Sequence, residues 1–321
     1  GLTLKAFEGL SLDVSYYDTR TFNQTFDSQL SVSSGYTALY VQTGNVRNRG
    51  VELSLGYEHQ WGIFGWNSNY TFITNHNEVL ELMENYTHPE TGNVISLDQL
   101  KVGGFANAAF VLTPGGTLGD LYTTVDLNRD EFGNVYVDKD GNISRNAEIG
   151  YRKLGSVFSK ANMAWNNDFN VGNLNFGFLI SARLGGIVYS ATQARLDNFG
   201  VSEASALARD NGGVMVDGYS IDPYKWYSVV GADSGIPQYY TYDATNVRLQ
   251  EAHIGYTIPR KKLGGLMDIT LSLVGRNLWM IYCKAPFDPE SIATAGNYYQ
   301  GIDSFMMPST RNVGFNLRLK F

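Results

Sequence analysis

The sequence predicts an all-β protein, more specifically a transmembrane antiparallel β-barrel, and three observations lead to this prediction. Apolar and polar residues alternate with a period of two in many segments of the chain. Aromatic residues make up 13% of the 321 residues and are accompanied by 35 glycines, a composition that favours strands over helical bundles. Short and long connections between the segments also alternate along the chain, as they do in membrane β-barrels.

The composition argues against several other classes of protein. With 24 Lys and Arg against 31 Asp and Glu, the net charge of −7 argues against a nucleic-acid-binding protein, which needs a basic surface. An apolar content of 43% argues against a disordered chain. No apolar run approaches the roughly 18 to 20 residues of a membrane-spanning helix. Cys283 is the only cysteine, so an internal disulfide is excluded.

The C-terminal segment has the clearest alternation. Val313, Phe315, Leu317, Leu319 and Phe321 alternate with residues that are polar or glycine. Because successive side chains of a strand point to opposite faces, this segment has one apolar and one polar face. The same reasoning predicts about ten strands along the chain. They cover 9–23, 37–58, 63–75, 105–112, 118–127, 157–168, 174–185, 244–258, 267–282 and 310–321.

One of the predicted strands changes phase part of the way along. Its apolar residues Val247 and Leu249 are followed by Ala252 and Ile254, so the spacing slips by one residue. A β-bulge at Gln250–Glu251 would return the later residues to the apolar face.

The predicted connections are of two kinds. The short ones are Gln60–Gly62, Thr113–Gly116, Asn170–Gly172 and the stretch around Pro259–Gly265. The long ones are 24–36, 76–104, 128–156, 186–243 and 283–309. Their alternation along the chain predicts short turns at one end of the barrel and long loops at the other. Loops beyond about 15 residues are usually functional or disordered.

The long connection 186–243 is rich in aromatic residues, which can stack on sugar rings or grip peptide side chains at a barrel mouth. Its candidates for a substrate- or partner-binding surface are Tyr224, Trp226, Tyr227, Tyr239 and Tyr240. Asp288 and Glu290, in the next long connection, complete this set of candidates. The alternative interpretation is that the aromatic residues pack on each other as a lid or against a partner.

Signals of catalysis and metal binding are weak. The four histidines are His59, His76, His88 and His253. They are scattered, and no pair has metal-ligand spacing. The segment Asp138–Asn142 is only faintly similar to a calcium loop, and its Asp-Gly favours a hairpin turn. The two carboxylates of Asp288-Pro289-Glu290 would suit a glycosidase, but a structural turn is favoured. We expect no catalytic residue, no metal site and no cofactor.

Five dispersed motifs point to a known family. Gly44–Leu53 is similar to an "N-x-G-V/I-E" strand entry, and Asn246–Pro259 matches the pattern of a "VRL" segment that ends in "G-Y-x-h-P". Gly275–Trp279, Phe287–Glu290 and Pro308–Leu317 match further motifs in the same order. Together these segments resemble the SusC/RagA branch of the TonB-dependent outer-membrane transporters. The resemblance covers essentially the whole chain but only about the C-terminal third of that family.

The resemblance implies that this chain is part of a larger transporter. Family members have 22-stranded barrels that enclose a plug, and a segment near their N-terminus contacts TonB. We therefore expect residues 1–321 to form about ten C-terminal strands of such a barrel in a Gram-negative outer membrane. The plug and the N-terminal strands would lie outside this chain. A SusD-like surface lipoprotein would cap the barrel, and TonB would energise the import of a glycan or an oligopeptide.

Aromatic residues on the strands also acquire expected roles. Phe321, at the end of an alternating strand, resembles the signal read by the barrel-assembly machinery; the alternative is a phenylalanine at a lipid-facing position. Tyr57, Trp66 and Trp165 are candidates for lipid-facing or interfacial positions.

Two other functions remain open. A self-contained passive porin or adhesin of about ten strands would need no partner and no energy input. An outer-membrane hydrolase would carry its carboxylates, Asp288 and Glu290, at the loop tips. For an importer, the net charge of −7 would favour neutral or cationic cargo.

Overall fold

The structure, a computed structural model, describes residues 1–6, 9–29, 38–87, 92, 94–293, 296 and 299–321. In chain order its strands are β1 Leu2–Ala6, β2 Leu10–Gln29, β3 Ala38–Trp61, β4 Phe64–Glu81, β5 Met83–Thr87, β6 Val94–Leu97, β7 Leu100–Phe105, β8 Ala108–Leu112, β9 Asp120–Thr123, β10 Asp126–Leu127, β11 Arg145–Asn146, β12 Arg152–Ser156, β13 Ala161–Val171, β14 Leu174–Leu184, β15 Ile187–Ser190, β16 Val214–Val216, β17 Tyr219–Ile221, β18 Thr241–Asp243, β19 Asn246–Ile258, β20 Asp268–Cys283, β21 Ile302–Asp303 and β22 Asn312–Lys320. The helices are α1 Ala191–Asn198, α2 Glu203–Asp210 and α3 Pro223–Val230, with 3₁₀ turns at Ala232–Ser234, Pro237–Tyr239 and Arg260–Leu263. Within the described part of the chain, no helix has the length and apolar character needed to cross a membrane.

The main element is a nine-stranded sheet. Its strand order is β1-β2-β3-β4-β13-β14-β19-β20-β22, and each neighbouring pair is antiparallel. The predicted antiparallel β-sheet is therefore confirmed, although the chain is mostly rather than wholly β, because the connection 185–245 contains three α-helices. Among the described residues the sheet is open rather than closed into a barrel, with β1 and β22 at its edges.

One face of this sheet is apolar across its full width. A representative cross-strand row runs through Leu12, Leu55, Tyr70, Trp165 and Ile180 on five successive strands. The row keeps the same face because side chains directly opposite each other in an antiparallel pair point the same way. Many apolar side chains on this face are exposed, which makes it a broad unpartnered apolar surface.

The other face of the sheet is polar. The row next to the apolar one contains Ser11, Gly56, Asn69 and Asn166. The strands therefore separate an apolar surface from a polar one, as their alternation predicts.

The bulge predicted in β19 is confirmed. Ile180 on β14 pairs with Leu249, whereas the preceding residue Leu179 pairs with Glu251. Gln250 is thus left without a cross-strand partner, and Ala252 returns to the apolar face.

Two predicted barrel strands do not belong to the main sheet. Segments 105–112 and 118–127 contain β8, β9 and β10, but β8 and β9 lie in a separate four-stranded sheet of order β12-β9-β8-β7. Every residue of β8 and β9 is buried, so these strands are covered on both faces. The assignment of 105–112 and 118–127 to the barrel wall was wrong, because an apolar sequence pattern indicates that a strand is buried but not which sheet it belongs to.

This correction changes the connections of the main sheet. Beyond the end of β4, the described residues of the predicted loops 76–104 and 128–156 belong to one long connection, 82–160, which joins β4 to β13. A strand that the sequence did not predict, β1, pairs with β2 at the sheet edge.

With this correction, the alternation of short and long connections persists. The short connections 62–63, 172–173 and 259–267 join consecutive antiparallel strands at one end of the sheet. The long connections 82–160, 185–245 and 284–311 leave from the opposite end.

The hydrophobic core lies mainly in the long connections, and Phe26, Val46 and Val79 of β2, β3 and β4 join it from the main sheet. Phe110 and Leu121, from 82–160, and Tyr189 and Ile236, from 185–245, are each fully buried in one cluster. The two segments therefore form a single packed body at the long-connection end, and this body positions the candidate site.

Candidate binding surface at the long-connection end

Three short helices build the candidate site, and side-chain caps define where each begins. The Ser190 hydroxyl accepts a hydrogen bond from the Gln193 amide at 3.0 Å and starts α1. The Ser202 hydroxyl does the same for the Ser205 amide at 3.0 Å and starts α2. Asp222 caps α3, whose first residue is a proline. Such caps satisfy backbone donors that a helix end leaves unpaired.

These helices border an open cavity of about 780 Å³, which we name the aromatic pocket. It is lined by Gln193, Leu196, Asp197, Val201, Ser202, Glu203, Ala204, Leu207, Trp226, Tyr227, Val230, Tyr239, Tyr240, Tyr242, Lys284 and Pro286. The structure brings four of the predicted residues together in this wall, namely Trp226, Tyr227, Tyr239 and Tyr240.

The wall of the aromatic pocket is held by ring packing. Trp226 and Tyr239 meet edge to face, with their centroids 5.5 Å apart. Trp226 and Tyr240 are buried. The fifth predicted aromatic residue, Tyr224, lies elsewhere: its side chain is 79% exposed in the first turn of α3 and does not line the pocket.

Asp197 is a pocket residue that the sequence analysis missed. Its carboxylate is buried and accepts hydrogen bonds on Oδ1 from Gln193 Nε2 at 2.8 Å and from the Ser202 hydroxyl. Among the described residues, no Lys, Arg or His lies within 4.0 Å of this carboxylate. No sequence signal singled it out, because a lone carboxylate on an eight-residue helix has no motif.

The charge of Asp197 acts on three tyrosines of the aromatic pocket. Burial raises the pKa of Tyr242 to about 12, and the neighbouring Asp197 charge adds to this. Burial and the same carboxylate raise the pKa of Tyr240 far above its ordinary value, and that of Tyr227 to a lesser degree. Although Tyr240 lies near Asp197, its buried hydroxyl has no hydrogen bond of ordinary geometry within the described part of the chain.

Asp288 and Glu290 do not join the aromatic pocket. Asp288 pairs with the buried Arg248 of β19 through two contacts, Nη1 to Oδ2 at 3.1 Å and Nη2 to Oδ1 at 2.8 Å. Glu290 Oε2 lies 3.3 Å from Arg248 Nη2. Asp288 Oδ1 also accepts the Glu290 amide at 3.0 Å. The turn expected at Asp288-Pro289-Glu290 is confirmed.

Burial and charge act in opposite directions on Asp288. Burial raises the pKa of its carboxyl, but the hydrogen bonds from Arg248 and the Glu290 amide outweigh burial and leave the pKa below its usual value. Asp288 is thus held as a carboxylate at neutral pH.

A second buried carboxylate, Asp126, joins the two long connections. Asp126 Oδ2 accepts hydrogen bonds from Arg152 Nη1 at 2.7 Å and from Arg129 Nε at 3.4 Å. These three residues all belong to the 82–160 connection. Its Oδ1 accepts a hydrogen bond from Gln238 Nε2 of the 185–245 segment. The hydrogen bond from Gln238 to Asp126 therefore ties the 185–245 connection, which contains most of the aromatic pocket, to the 82–160 connection.

The segment considered as a calcium loop forms a turn. Asp138 Oδ1 accepts the amides of Asp140 at 2.9 Å and Asn142 at 2.8 Å, and the Gly141 amide bonds back to the Asp138 carbonyl at 3.0 Å. The turn predicted between Tyr136 and Ile143 is confirmed. In the residues that the structure describes, no group of three or more His, Cys, Asp or Glu side chains is arranged to hold a metal ion.

The histidines lie on separate strands. His59 is on β3, His76 on β4 and His253 on β19, where its Nε2 lies 3.5 Å from Asp168 Oδ1. His88 lies outside the described residues.

Aromatic residues form a continuous row on the apolar face near the short connections. Tyr57 meets Trp66 with ring centroids 5.2 Å apart, Trp66 stacks on Phe169 at 6.3 Å, and Phe169 stacks on Phe176 at 5.1 Å. Such a row at one edge of an apolar band has the position of an interfacial girdle in membrane barrels.

Two more of the predicted strand aromatics lie away from this row. Trp165 is on the same face and donates its indole N–H to Ser68 Oγ at 3.0 Å. Phe321 follows β22 and is exposed.

Comparison with known proteins finds relatives over the whole chain. No protein-family model matches it. It is 23% identical to TonB-dependent receptor P3 and 23% identical to TonB-dependent receptor P39, both of Formosa agariphila. Each alignment includes 100% of this chain but only 33% and 35% of the respective receptor, so the chain spans about a third of the length of the curated relatives it matches.

Solved structures match the fold over the same extent. The RagAB peptide importer in its closed-closed state superposes with a TM-score of 0.69 and 17% identity, over 99% of this chain and 34% of that one. The RagAB peptide transporter superposes with a TM-score of 0.67 and 15% identity, over 97% of this chain and 33% of that one. The open-open state of the importer superposes with a TM-score of 0.61 and 16% identity, over 98% of this chain and 33% of that one. The resemblance to RagA-type TonB-dependent transporters is therefore confirmed.

Proposed function

We propose that this chain forms part of the barrel wall of an active nutrient importer in the outer membrane of a Gram-negative cell, with an oligopeptide as cargo. The observation that carries the proposal is the nine-stranded sheet with one apolar and one polar face, whose long connections fold into one body at a single end. A lipid-facing surface, a lumen and an external binding surface need this arrangement.

The strand lengths suit a bilayer. Strands β13 and β14 each contain 11 residues, and a tilted transmembrane strand needs about 9 to 11 residues. A sheet with open edges is not viable in lipid, because its unpaired backbone groups would have no water to bond. We therefore propose that strands outside this chain complete the barrel between β1 and β22, to the 22 strands of the family, and that a plug fills it.

The similar proteins suggest the cargo and the partners. The sequence relatives are TonB-dependent receptors, and the matching structures are described as a peptide importer. In our proposal a SusD-like lipoprotein caps the long-connection end and traps the peptide beside the aromatic pocket. TonB acts on a part of the transporter outside this chain. We favour a peptide over a glycan because of the RagAB match.

Transport by reversible binding requires no covalent chemistry, and we propose no enzymatic activity. Asp288 and Glu290, the carboxylates considered for hydrolysis, both contact Arg248. A carboxylate in a bidentate pair with a buried arginine is unsuited to act as a general acid, because the arginine charge strongly disfavours its protonation.

The test is to purify the natural protein from outer membranes under mild detergent, weigh the intact polypeptide and identify what accompanies it. We expect a polypeptide about three times as long as this chain, since the chain spans about a third of its relatives. We also expect a co-purifying lipoprotein and bound peptides that mass spectrometry can sequence. A polypeptide of the length of this chain, without a partner and with uptake that survives loss of the proton-motive force, would indicate a passive porin instead.

A further inference from the structure

We infer that the aromatic pocket selects cargo by binding one cationic group, the ammonium of a lysine side chain or the guanidinium of an arginine side chain. This inference rests on the proposed peptide transport and names the residue type that the pocket takes. Asp197, Trp226, Tyr240 and Tyr242 are the residues that would contact the cation.

The first argument concerns charge. Asp197 is only 5% exposed, yet its carboxylate has no cation within ion-pair distance in the described part of the chain. Burying a carboxylate without a counter-charge is costly. The two side-chain hydrogen bonds that hold it, from Gln193 and Ser202, both end on Oδ1. Oδ2 therefore remains for a ligand that carries positive charge.

The second argument concerns the walls of the pocket. Trp226 and Tyr239 hold each other edge to face, and Tyr227, Tyr240 and Tyr242 complete the aromatic lining. The faces of aromatic rings attract ammonium and guanidinium groups, and more strongly when water is excluded. An aromatic wall beside a buried carboxylate is thus complementary to an organic cation.

The third argument concerns an unused polar group. The Tyr240 hydroxyl is buried in the pocket wall beside the Asp197 carboxylate and makes no hydrogen bond of ordinary geometry among the described residues. Its raised pKa keeps the hydroxyl neutral, so its oxygen can accept a hydrogen bond from a ligand N–H. Lysine and arginine carry three and five such donors, respectively.

Size and ligand set distinguish an organic cation from a metal ion. The cavity of about 780 Å³ falls in the range of small-molecule sites, about 300 to 1,000 Å³, and has room for more than one side chain. A calcium ion would need six to eight oxygen ligands, whereas Asp197 is the only buried carboxylate in the lining. The other charged lining residues, Glu203 and Lys284, are exposed and of opposite sign.

The experiment is isothermal titration calorimetry on the intact natural transporter in detergent. The probes are acetyl-Ala-Lys-Ala-amide and acetyl-Ala-Arg-Ala-amide, compared with the same peptide carrying Nε-acetyl-lysine. Blocked termini leave the side chain as the only cation. We expect the two cationic peptides to bind about tenfold more tightly, and the preference to shrink at high salt because it is electrostatic.

Variants assign the preference to the aromatic pocket. Asp197→Asn should abolish it, and Tyr240→Phe should reduce it with little effect on folding. Asp210→Asn is the matched control, because it removes an equal charge from an exposed position on α2 outside the pocket and should leave the preference intact.

Equal affinity of the wild-type transporter for the lysine and acetyl-lysine peptides would overturn the inference, whatever the variants do. A preference that survives Asp197→Asn would overturn it too. If neither peptide binds but glucosamine binds more tightly than N-acetylglucosamine in an Asp197-dependent way, the cation site is supported and the peptide cargo is wrong.

Discussion

Arg248 and Asp288 form a two-contact ion pair that joins the upper part of β19 to the long connection 284–311, with N–O distances of 2.8 and 3.1 Å. Both side chains are buried, at 5% and 10% exposure. Removing Asp288 leaves the buried Arg248 with Glu290 alone as its counter-charge, and Glu290 is 42% exposed and makes a single contact at 3.3 Å. Asp288→Leu is therefore expected to lower the free energy of unfolding by about 3 kcal/mol, measured by urea unfolding in detergent.

The control for this prediction is an exposed pair on the same sheet. Arg276 Nε lies 2.9 Å from Glu251 Oε2, but the arginine is 68% exposed. Glu251→Gln should change the free energy of unfolding by less than about 1 kcal/mol. Equal losses in Asp288→Leu and Glu251→Gln would contradict the idea that burial makes the Arg248 pair important.

The same pair predicts a pH dependence. Because the pKa of Asp288 is lowered in the folded state, its contribution is complete above its unfolded value of 3.8 and is lost as the pH falls through the folded value. Protease cleavage within 284–311 should increase below about pH 4 in the wild type. In Asp288→Leu the segment should be cleaved readily at all pH values, so the difference between the two proteins should vanish in acid. A constant difference down to about pH 2 would contradict this.

The strands of the main sheet could be predicted because alternation is a local property that needs no knowledge of neighbours. The position of Ala108–Leu112 could not, because its continuous apolar run reports burial on both faces but not the sheet that buries it. The first strand, Leu2–Ala6, also alternates, but five residues are too few for the sequence pattern alone to establish a strand.

The candidate site was predictable only in part, for a related reason. Four aromatic residues of the pocket wall were found because aromatic side chains are conspicuous in a long connection. Asp197 was missed because its role depends on the fold, which packs α1 against α3. The partner of Asp288 could not be found from spacing, since Arg248 lies 40 residues away.

Asp126 provides a prediction about how the two long connections hold together. Its replacement in Asp126→Ala removes the acceptor for Gln238 and for Arg152 at once. Since the Arg152 side chain is largely exposed and can be hydrated instead, we expect a loss of about 1 to 3 kcal/mol rather than unfolding. Amide hydrogen exchange should accelerate around 126–146 and 232–240. Glu131→Ala, in the exposed turn nearby, should leave both stretches unchanged.

The apolar face predicts which tryptophans contact lipid. Trp165 and Trp279 are 42% and 61% exposed on strands of the main sheet, whereas Trp226 is buried in the aromatic pocket. In variants that retain one tryptophan each, reconstituted into bilayers with brominated acyl chains, fluorescence from Trp165 and Trp279 should be strongly quenched. Fluorescence from Trp226 should be almost unaffected. Equal quenching of all three would contradict the proposed orientation of the sheet in the membrane.

The bulge at Gln250 makes the sharpest prediction about the register of the sheet. Deleting Gln250 would shift every residue on one side of it by one position relative to β14. Because the side-chain period of a strand is two, a shift of one position moves those side chains to the opposite face of the sheet. Ala252, Ile254 and Tyr256 would then face the polar side, or Val247 and Leu249 would. We expect the deletion to abolish the folded, heat-modifiable form on gel electrophoresis. Gln250→Ala keeps the extra residue and should fold normally, since Gln250 has no cross-strand partner. A deletion variant that folds as well as Gln250→Ala would mean that the bulge does not set the register.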